Sequence, residues 1–209
     1  MKVRMINPIQ KTIESRVSIN YFDPDRAVSN EVIESLVAQA TRVPSAYNFQ
    51  NWRFIAVRSP DAKTRLKALA YGQQKVHDAS VIFIICGTLA AHKQLAKILK
   101  PSVDAGIMEQ HVADGWVDQA TRIHANNPTL QRDEAIRSAS LAAMTLMLAA
   151  EGMGLASGAM IGFDMEGLAR EFRLTSDDVP AIMVTIGYPV TGNWPQKSRR
   201  PISEVLEVI

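Results

Sequence analysis

The apolar run Val81-Ile82-Phe83-Ile84-Ile85-Cys86 is the strongest constraint on the fold, because it leaves no polar face for a strand to turn toward solvent. It predicts a strand from Ser80 to Cys86 that is buried on both faces. The chain has 209 residues, 47% of them hydrophobic, which is enough for one substantial core. We therefore expect a single domain over residues 1–209.

The elements predicted around this strand mix helices and strands without a regular βαβ rhythm. Caps and apolar spacing predict helices from Asn7-Pro8 to Arg16, from Ser29-Asn30 to a stop at Pro44, from Pro60 to Leu69, from Asp133 onward, and from Asp164 to Phe172. Further strands are predicted over 53–58, 155–161 and 181–186. Residues 90–135 are predicted to be mostly helical, with breaks at Lys100-Pro101 and Asn126-Asn127-Pro128. This mixture favours an α+β fold.

Composition argues against several classes of protein. The 23 basic and 21 acidic residues are spread along the chain without a basic block, so nucleic acid is not an expected partner. The apolar stretch from Ala139 to Ile161 is interrupted by Glu151, which favours a core or interface helix over a membrane span. The histidines lack metal-ligand spacing, and the single cysteine, Cys86, is expected to be a buried hydrophobe, so no metal site is predicted. The first eight residues lack the apolar stretch of a secretory signal, which favours a cytoplasmic location.

The segment from Pro44 to Trp52 is a turn rich in neutral hydroxyl and amide groups. Such groups can match the donor and acceptor edge of a planar heterocycle without introducing a charge that must be desolvated. The same residue types also occur in ordinary turns, so the segment alone leaves both interpretations open.

A second candidate is the cluster Lys197, Arg199 and Arg200 near the end of the chain. Alone it is typical of a solvated surface. Together with Arg16, these cations could hold a phosphate monoester dianion by charge-assisted hydrogen bonds.

Three segments together resemble the flavin-binding signature of the nitroreductase family: Arg16 to Phe22, Pro44 to Trp52, and Lys197 to Pro201. Members of this family hold FMN and reduce nitro groups, quinones and related acceptors with NADH or NADPH. The resemblance covers nearly the whole chain except residues 100–135, a lid-like segment that varies within the family. It implies a nitroreductase-like α+β fold in which helices flank a central, mostly antiparallel sheet, and an intertwined homodimer.

The FMN ligands implied by the resemblance come from five segments: Arg16, Val17, Ser18 and Asn20; Pro44, Ser45, Ala46 and Asn48; Gln73 and Lys75; Ile161 and Gly162; and Lys197 and Arg199. The first and last groups would grip the phosphate and the ring edge, and the second group would reach the cofactor from the partner subunit. Gln73 and Lys75 would lie beside the pyrimidine side, while Ile161 and Gly162 would act through backbone N–H groups near flavin N5. Candidate walls of the acceptor site are Tyr71, Trp116 and Phe163.

The resemblance implies hydride transfer through flavin N5 with ping-pong kinetics, and no side chain is expected to be an indispensable acid or base. Two alternatives stay open: a specialised flavin reaction such as dehalogenation or dehydrogenation, and a flavin carrier or sensor without turnover. Asn20 keeps the second alternative open, because many family members have Arg or Lys there. Without that cation, the flavin potential should fall unless Lys75 compensates.

Overall fold

A computed structural model describes residues 7–209 of the chain. The first six residues, which carry part of the expectation about a secretory signal and the start of the predicted domain, lie outside the described residues. In residues 7–209 no helix combines the length and the apolar character needed to cross a membrane.

A four-stranded sheet forms the centre of the fold. Its strands are β1 (Trp52–Val57), β2 (Val81–Thr88), β3 (Ala156–Met160) and β4 (Asp178–Gly187), in the spatial order β1-β2-β4-β3. All three neighbouring pairs are antiparallel. Every residue of β2 from 81 to 87 is buried, which confirms the strand predicted to be buried on both faces.

Helices cover the sheet and extend the chain beyond it: α1 (Pro8–Ser15), α2 (Asn30–Ala40), α3 (Pro60–Leu69), α4 (Gln74–Asp78), α5 (Leu95–Asp104), α6 (Gln110–His124), α7 (Pro128–Gly152) and α8 (Met165–Glu171). Local capping explains several starts. The side chains of Asn7, Ser29 and Ser59 each accept a backbone N–H from the first turn of α1, α2 and α3. These three predicted starts are confirmed, and the helices and antiparallel sheet confirm the α+β class.

Three predicted boundaries were wrong. The long helix α7 begins at Pro128 instead of Asp133, because Asn127 caps it by accepting the Leu130 N–H at 3.0 Å and proline suits the first helical position. The break predicted at Lys100-Pro101 is absent: Pro101 lies inside α5, where it removes one helical hydrogen bond but does not end the helix. Helix α2 ends at Ala40, before Pro44.

The side chains of β2 alternate between two apolar layers. Ile82 and Ile84 pack with residues of α3 and α8, whereas Phe83 and Ile85 pack with residues of α2 and α7. Helix α7 approaches β2 so closely that a Cβ at Gly87 would lie 2.0 Å from the Ala135 carbonyl oxygen. The sheet is therefore the middle layer of three.

A third apolar cluster lies apart from these two layers. It joins Phe49 to Leu95 and Leu99 of α5 and to Ala113 and Ala120 of α6. The segment between 95 and 124 thus has its own small core, and the polar turn that contains Phe49 is packed on it.

Candidate functional site

The N-terminal segment 16–21 lies against the edge strand β3. Helix α1 ends at Ser15, and Arg16 follows as its C-cap residue with an extended backbone, which places Arg16 at the end of the helix as the sequence predicts. The Ile19 N–H donates to the Ser157 carbonyl at 3.0 Å, and Ser18 forms a parallel bridge with Ser157. Close approach is possible because Gly158 has no side chain: a Cβ there would lie 2.6 Å from the Ile19 oxygen. The segment therefore extends the sheet beyond β3.

The C-terminal segment is fastened to this N-terminal segment by Asn193. The Asn193 Oδ1 accepts the backbone N–H groups of Asn20 at 2.8 Å and Tyr21 at 3.0 Å, and its Nδ2 donates to the Tyr21 carbonyl at 2.9 Å. Nearer the cations, the Gln196 Nε2 donates to the Arg16 carbonyl at 3.4 Å. The Gln196 Oε1 accepts from Arg199 Nη2 at 2.9 Å. The two ends of the chain are thereby joined.

Arg16, Lys197 and Arg199 have no acidic partner in the part of the chain that the structure describes. Within residues 7–209, no carboxylate lies within 4.0 Å of the charged groups of Arg16, Lys197 or Arg199. By contrast, Arg200 pairs with Glu204 at 3.1 Å. Cations left without a carboxylate are available to bind an external anion.

The opposite end of β3 leads directly to Ile161 and Gly162. The Gln73 Nε2 donates to the Gly162 carbonyl at 3.0 Å and to the Ala70 carbonyl at 3.2 Å. Gln73 therefore fastens the start of α4 to this turn. Ile161, next to Gly162, and Tyr71, two residues before Gln73, are 71% and 72% exposed, so each partner of this contact has an exposed apolar side chain near it in the chain.

Lys75 follows on α4 as a half-buried cation. Burial lowers its pKa from the usual value, since a desolvated ammonium is less stable than a hydrated one. A nearby anion or polar group would stabilise the charged form of Lys75 and so offset the effect of burial.

The polar turn 44–51 is held mainly by hydrogen bonds of its own. The Ser45 Oγ accepts the Gln50 N–H at 3.0 Å, and the Ser45 carbonyl accepts the Asn48 N–H at 3.0 Å. Tyr47, Asn48 and Gln50 all have positive φ, at 51°, 59° and 49°. Non-glycine residues rarely adopt this conformation, and such residues cluster at functional sites.

Aromatic rings form the floor of this turn. Phe49 is 1% exposed, and its ring centroid lies 5.1 Å from that of His124. Trp116 lies edge-on to Tyr47 at 6.1 Å. Trp116 therefore belongs with the turn, and Tyr71 belongs with the β3 edge.

The turn 44–51 and the segment 16–21 thus form two separate groups of predicted ligands in one chain. The turn leads into β1, and the segment 16–21 lies outside β3, at the opposite edge of the sheet. Three interstrand spacings of about 4.8 Å separate β1 from β3, or about 14 Å. No hydrogen bond joins the two groups in the part of the chain that the structure describes.

Two residues depart from the sequence-based picture. Phe163 is 4% exposed and packs in the core beside α8, a position that does not favour the wall role predicted for its side chain. Asn193, on the other hand, was missed. Its only local signal is the sequence Thr-Gly-Asn, which reads as an ordinary turn.

The chain is similar in sequence to proteins of one known family. The chain matches the model of the Nitroreductase family over residues 13–188. It is 32% identical over 197 residues to MhqN of Bacillus subtilis, which is assigned as an NAD(P)H nitroreductase, covering 93% of this chain and 96% of that protein. It is 25% identical over 185 residues to the CLA biosynthesis enone reductase of Lactiplantibacillus plantarum, covering 87% of this chain and 85% of that protein.

A solved structure is also similar over almost the whole chain. It is a protein from Exiguobacterium sibiricum, assigned as a nitroreductase and crystallised in complex with FMN. The TM-score is 0.90 at 28% identity, and the similarity covers 98% of each chain. The fold predicted from the resemblance is confirmed, and the chain belongs to the nitroreductase family.

Proposed function

We propose that the chain is one FMN-binding domain that uses NADH or NADPH to reduce small acceptors such as nitroaromatics and quinones. The observation that carries this proposal is that Gln196 joins the segments bearing Arg16 and Arg199, from opposite ends of the chain, and that Arg16, Lys197 and Arg199 have no carboxylate partner within residues 7–209. A phosphate monoester dianion is the kind of ligand that two or three such cations hold.

The residues along β3 fit the rest of the cofactor. From Ser157, beside Ser18, strand β3 runs three residues to Met160, or about 10 Å, before the turn at Ile161 and Gly162. An elongated ligand can therefore place its phosphate beside Arg16 and its ring system beside the exposed turn at Ile161. Glycine at position 162 permits close approach of the backbone.

When bound, FMN supplies the hydride chemistry, accepting a hydride from the nicotinamide and passing it to the acceptor. The chain's own residues bind and orient. Gln73 holds the turn at Gly162 in place, Lys75 contributes a partly desolvated cation, and Tyr71 and Ile161 present an apolar wall. No acid or base side chain is assigned to the reaction.

We also propose a homodimer in which the turn of one subunit completes the site of the other. The separation of the two ligand groups within one chain supports this. A second observation is an apolar groove of about 600 Å³ between α1, α2 and α7. Ile9 and Ile13 on α1 are 68% and 51% exposed beside it, and large exposed apolar patches mark interaction surfaces. In this arrangement Pro44, Ser45, Ala46 and Asn48 face the partner's flavin, and α5 and α6 form its lid.

A more specialised flavin reaction is the second candidate function. Its support is the enone reductase relative, because an activated carbon–carbon double bond is then a possible acceptor. A carrier or sensor without turnover is favoured only by Asn20, which brings no cation and whose backbone N–H is already bonded to Asn193.

The first experiment measures binding of FMN to the apoprotein by fluorescence titration. Arg199→Ala should weaken binding by about 1.5–3 kcal/mol, or about 10- to 150-fold, the usual worth of a charged hydrogen bond. Arg200→Ala is the matched control, because Arg200 already pairs with Glu204. Equal affinities of the wild type and Arg199→Ala would remove Arg199 from the site.

Turnover is tested separately by stopped flow. NADH or NADPH should bleach the flavin absorbance of the holoprotein, and a quinone, a nitroaromatic or an enone should restore it in a second, independent step. A flavin that no nicotinamide reduces would favour the carrier or sensor.

The shared site is tested by mixing two variants that each bind FMN weakly. Arg199→Ala and Asn48→Ala subunits should together form a mixed dimer in which one site has both groups intact. Partial recovery of FMN binding after mixing supports the shared site, and a fully loaded monomer would contradict it.

A further inference from the structure

We propose that Asn193 is a positioning residue that holds the C-terminal cations against Arg16 and thereby sets the preference for a phosphorylated flavin. The inference rests on the proposed FMN site. The Asn193 side chain fills its whole hydrogen-bonding capacity, with two N–H groups donated to its Oδ1 and two carbonyls bound by its Nδ2. Three of the four bonds reach backbone atoms of Asn20 and Tyr21, more than 170 residues away.

The position of Asn193 along the chain gives these bonds their effect. The last backbone hydrogen bond that joins the C-terminal segment to the body of the described chain runs from the Val190 N–H to the Tyr21 carbonyl at 3.2 Å. Lys197 lies seven residues beyond Val190 but only four beyond Asn193. At about 3.5 Å per residue, loss of the Asn193 bonds would lengthen the unanchored chain that leads to Lys197 from about 14 Å to about 25 Å.

Gln196 links the segment that Asn193 holds in place to the guanidinium of Arg199. It contacts the Arg16 carbonyl through Nε2 and Arg199 through Oε1, and Arg199 Nη1 also donates to the Lys197 carbonyl at 2.8 Å. The Arg199 guanidinium is thus ordered before any anion binds, which reduces the entropic cost of binding. The hydrogen bond from Gln196 Nε2 to the Arg16 carbonyl is long, at 3.4 Å, and therefore weak. Asn193 is needed to hold the C-terminal segment close enough to Arg16 for this bond to form.

This role predicts that loss of Asn193 changes the binding of the two flavins unequally and leaves the rest of the structure intact. Asn193 is half-buried, and the residues from 194 to 209 that follow it are all exposed, so the sheet layers do not depend on it. The phosphate end of the ligand lies beside these cations, whereas the ring lies at the far end of β3. Loss of Asn193 should therefore affect FMN much more than riboflavin, which has the same ring and no phosphate.

The experiment titrates apoprotein with FMN and with riboflavin. We expect Asn193→Ala to weaken FMN binding by about 10-fold or more and riboflavin binding by less than about 2-fold, while the melting temperature changes little. Asn30→Ala makes the same chemical change on the exposed first turn of α2, where the lost hydrogen bond is the one accepted from Arg58, and should alter neither affinity. Gln196→Ala, which cuts the second link, should reproduce the FMN-specific loss in a smaller amount.

A double-mutant cycle tests whether Asn193 acts through Arg199. If it does, Asn193→Ala adds little to the loss already caused by Arg199→Ala. Equal losses for FMN and riboflavin, fully additive losses, or unchanged affinity in both Asn193→Ala and Gln196→Ala would overturn the inference while FMN binding by the wild type stands. A wild-type protein that binds neither flavin would overturn the proposed function itself.

Discussion

The polar turn 44–51 and the segment 16–21 are two parts of the proposed site that are held in opposite ways. The backbone of the turn is fixed mainly by its own residues, with Ser45 at the centre of the hydrogen bonds, and α5 and α6 support it from below. The segment 16–21 is fixed by Ser157 and Asn193, both more than 130 residues away in sequence. The turn can therefore keep its conformation with only the small apolar cluster beneath it. The segment 16–21, which is held by distant residues, keeps its conformation only in the complete fold.

The largest expected effect comes from removing the floor of the turn. Phe49→Ala empties a site that is 1% exposed and should lower the free energy of unfolding by about 3–5 kcal/mol. Urea denaturation measures this, and Phe49→Leu should lose much less because it keeps most of the buried volume. The turn is expected to face the flavin ring, so Phe49→Ala should weaken FMN and riboflavin binding alike. A loss confined to FMN would contradict the comparison.

The next effect concerns the support of the segment 16–21. A Cβ at Gly158 would lie 2.6 Å from the Ile19 oxygen and 2.9 Å from Thr185 Oγ1, both too close for an undisturbed structure. Gly158→Ala should therefore cost about 1–3 kcal/mol of unfolding free energy and displace the segment from β3.

Gly115→Ala is the matched control, since a Cβ there meets nothing within 4 Å and alanine favours a helix by about 1 kcal/mol. Unfolding curves of the two variants should move in opposite directions. Equal stabilities would show that the contact between Gly158 and Ile19 is not tight.

A smaller effect reports on backbone strain in the turn. Gln50 has φ 49°, is exposed, and contributes its backbone N–H to the turn. Gln50→Gly should be more stable than Gln50→Ala by about 1 kcal/mol, because a left-handed conformation is unfavourable for any residue with a Cβ. Thermal unfolding of this pair tests the point, and a more stable alanine variant would mean that the turn adopts another conformation.

The contrast between local and distant support also explains what sequence could predict. The starts of α1, α2 and α3 follow from Asn7, Ser29 and Ser59, because each cap acts on the next two or three residues. The buried strand β2 likewise follows from one apolar run. By contrast, α5 continues through Pro101 because Leu95 and Leu99 are buried against α6, and such packing outweighs a local helix breaker.

The site shows the same division. The residues of the turn and the terminal cations could be proposed from short segments by resemblance, and those roles remain predictions. Asn193 could not be found in this way, since nothing near it in sequence indicates a partner at Asn20. The burial of Phe163 was also missed, because a single aromatic residue after a strand can face either the core or a cleft.

The smallest expected effect separates the two regions by pH. His92 is 5% exposed beneath the turn, and burial, the nearby His124 and Lys93 lower its pKa below the usual value. The Glu134 carboxylate, which pairs with Arg137, lines the same small cavity as His124. Because the folded chain resists protonation of His92, the unfolded chain binds more protons as the pH falls below about 6.5, and stability is lost there.

Urea denaturation at about pH 7.5 and about pH 5.5 measures this loss. The wild type should lose more stability between the two pH values than His92→Leu, which cannot titrate at this position. His111→Gln, which replaces an exposed imidazole on α6, should follow the wild type. No histidine bonds to the segment 16–21 in the described chain, so of these two regions the floor of the turn is expected to be the acid-sensitive one. If His92→Leu loses as much stability in acid as the wild type, the floor does not carry this sensitivity.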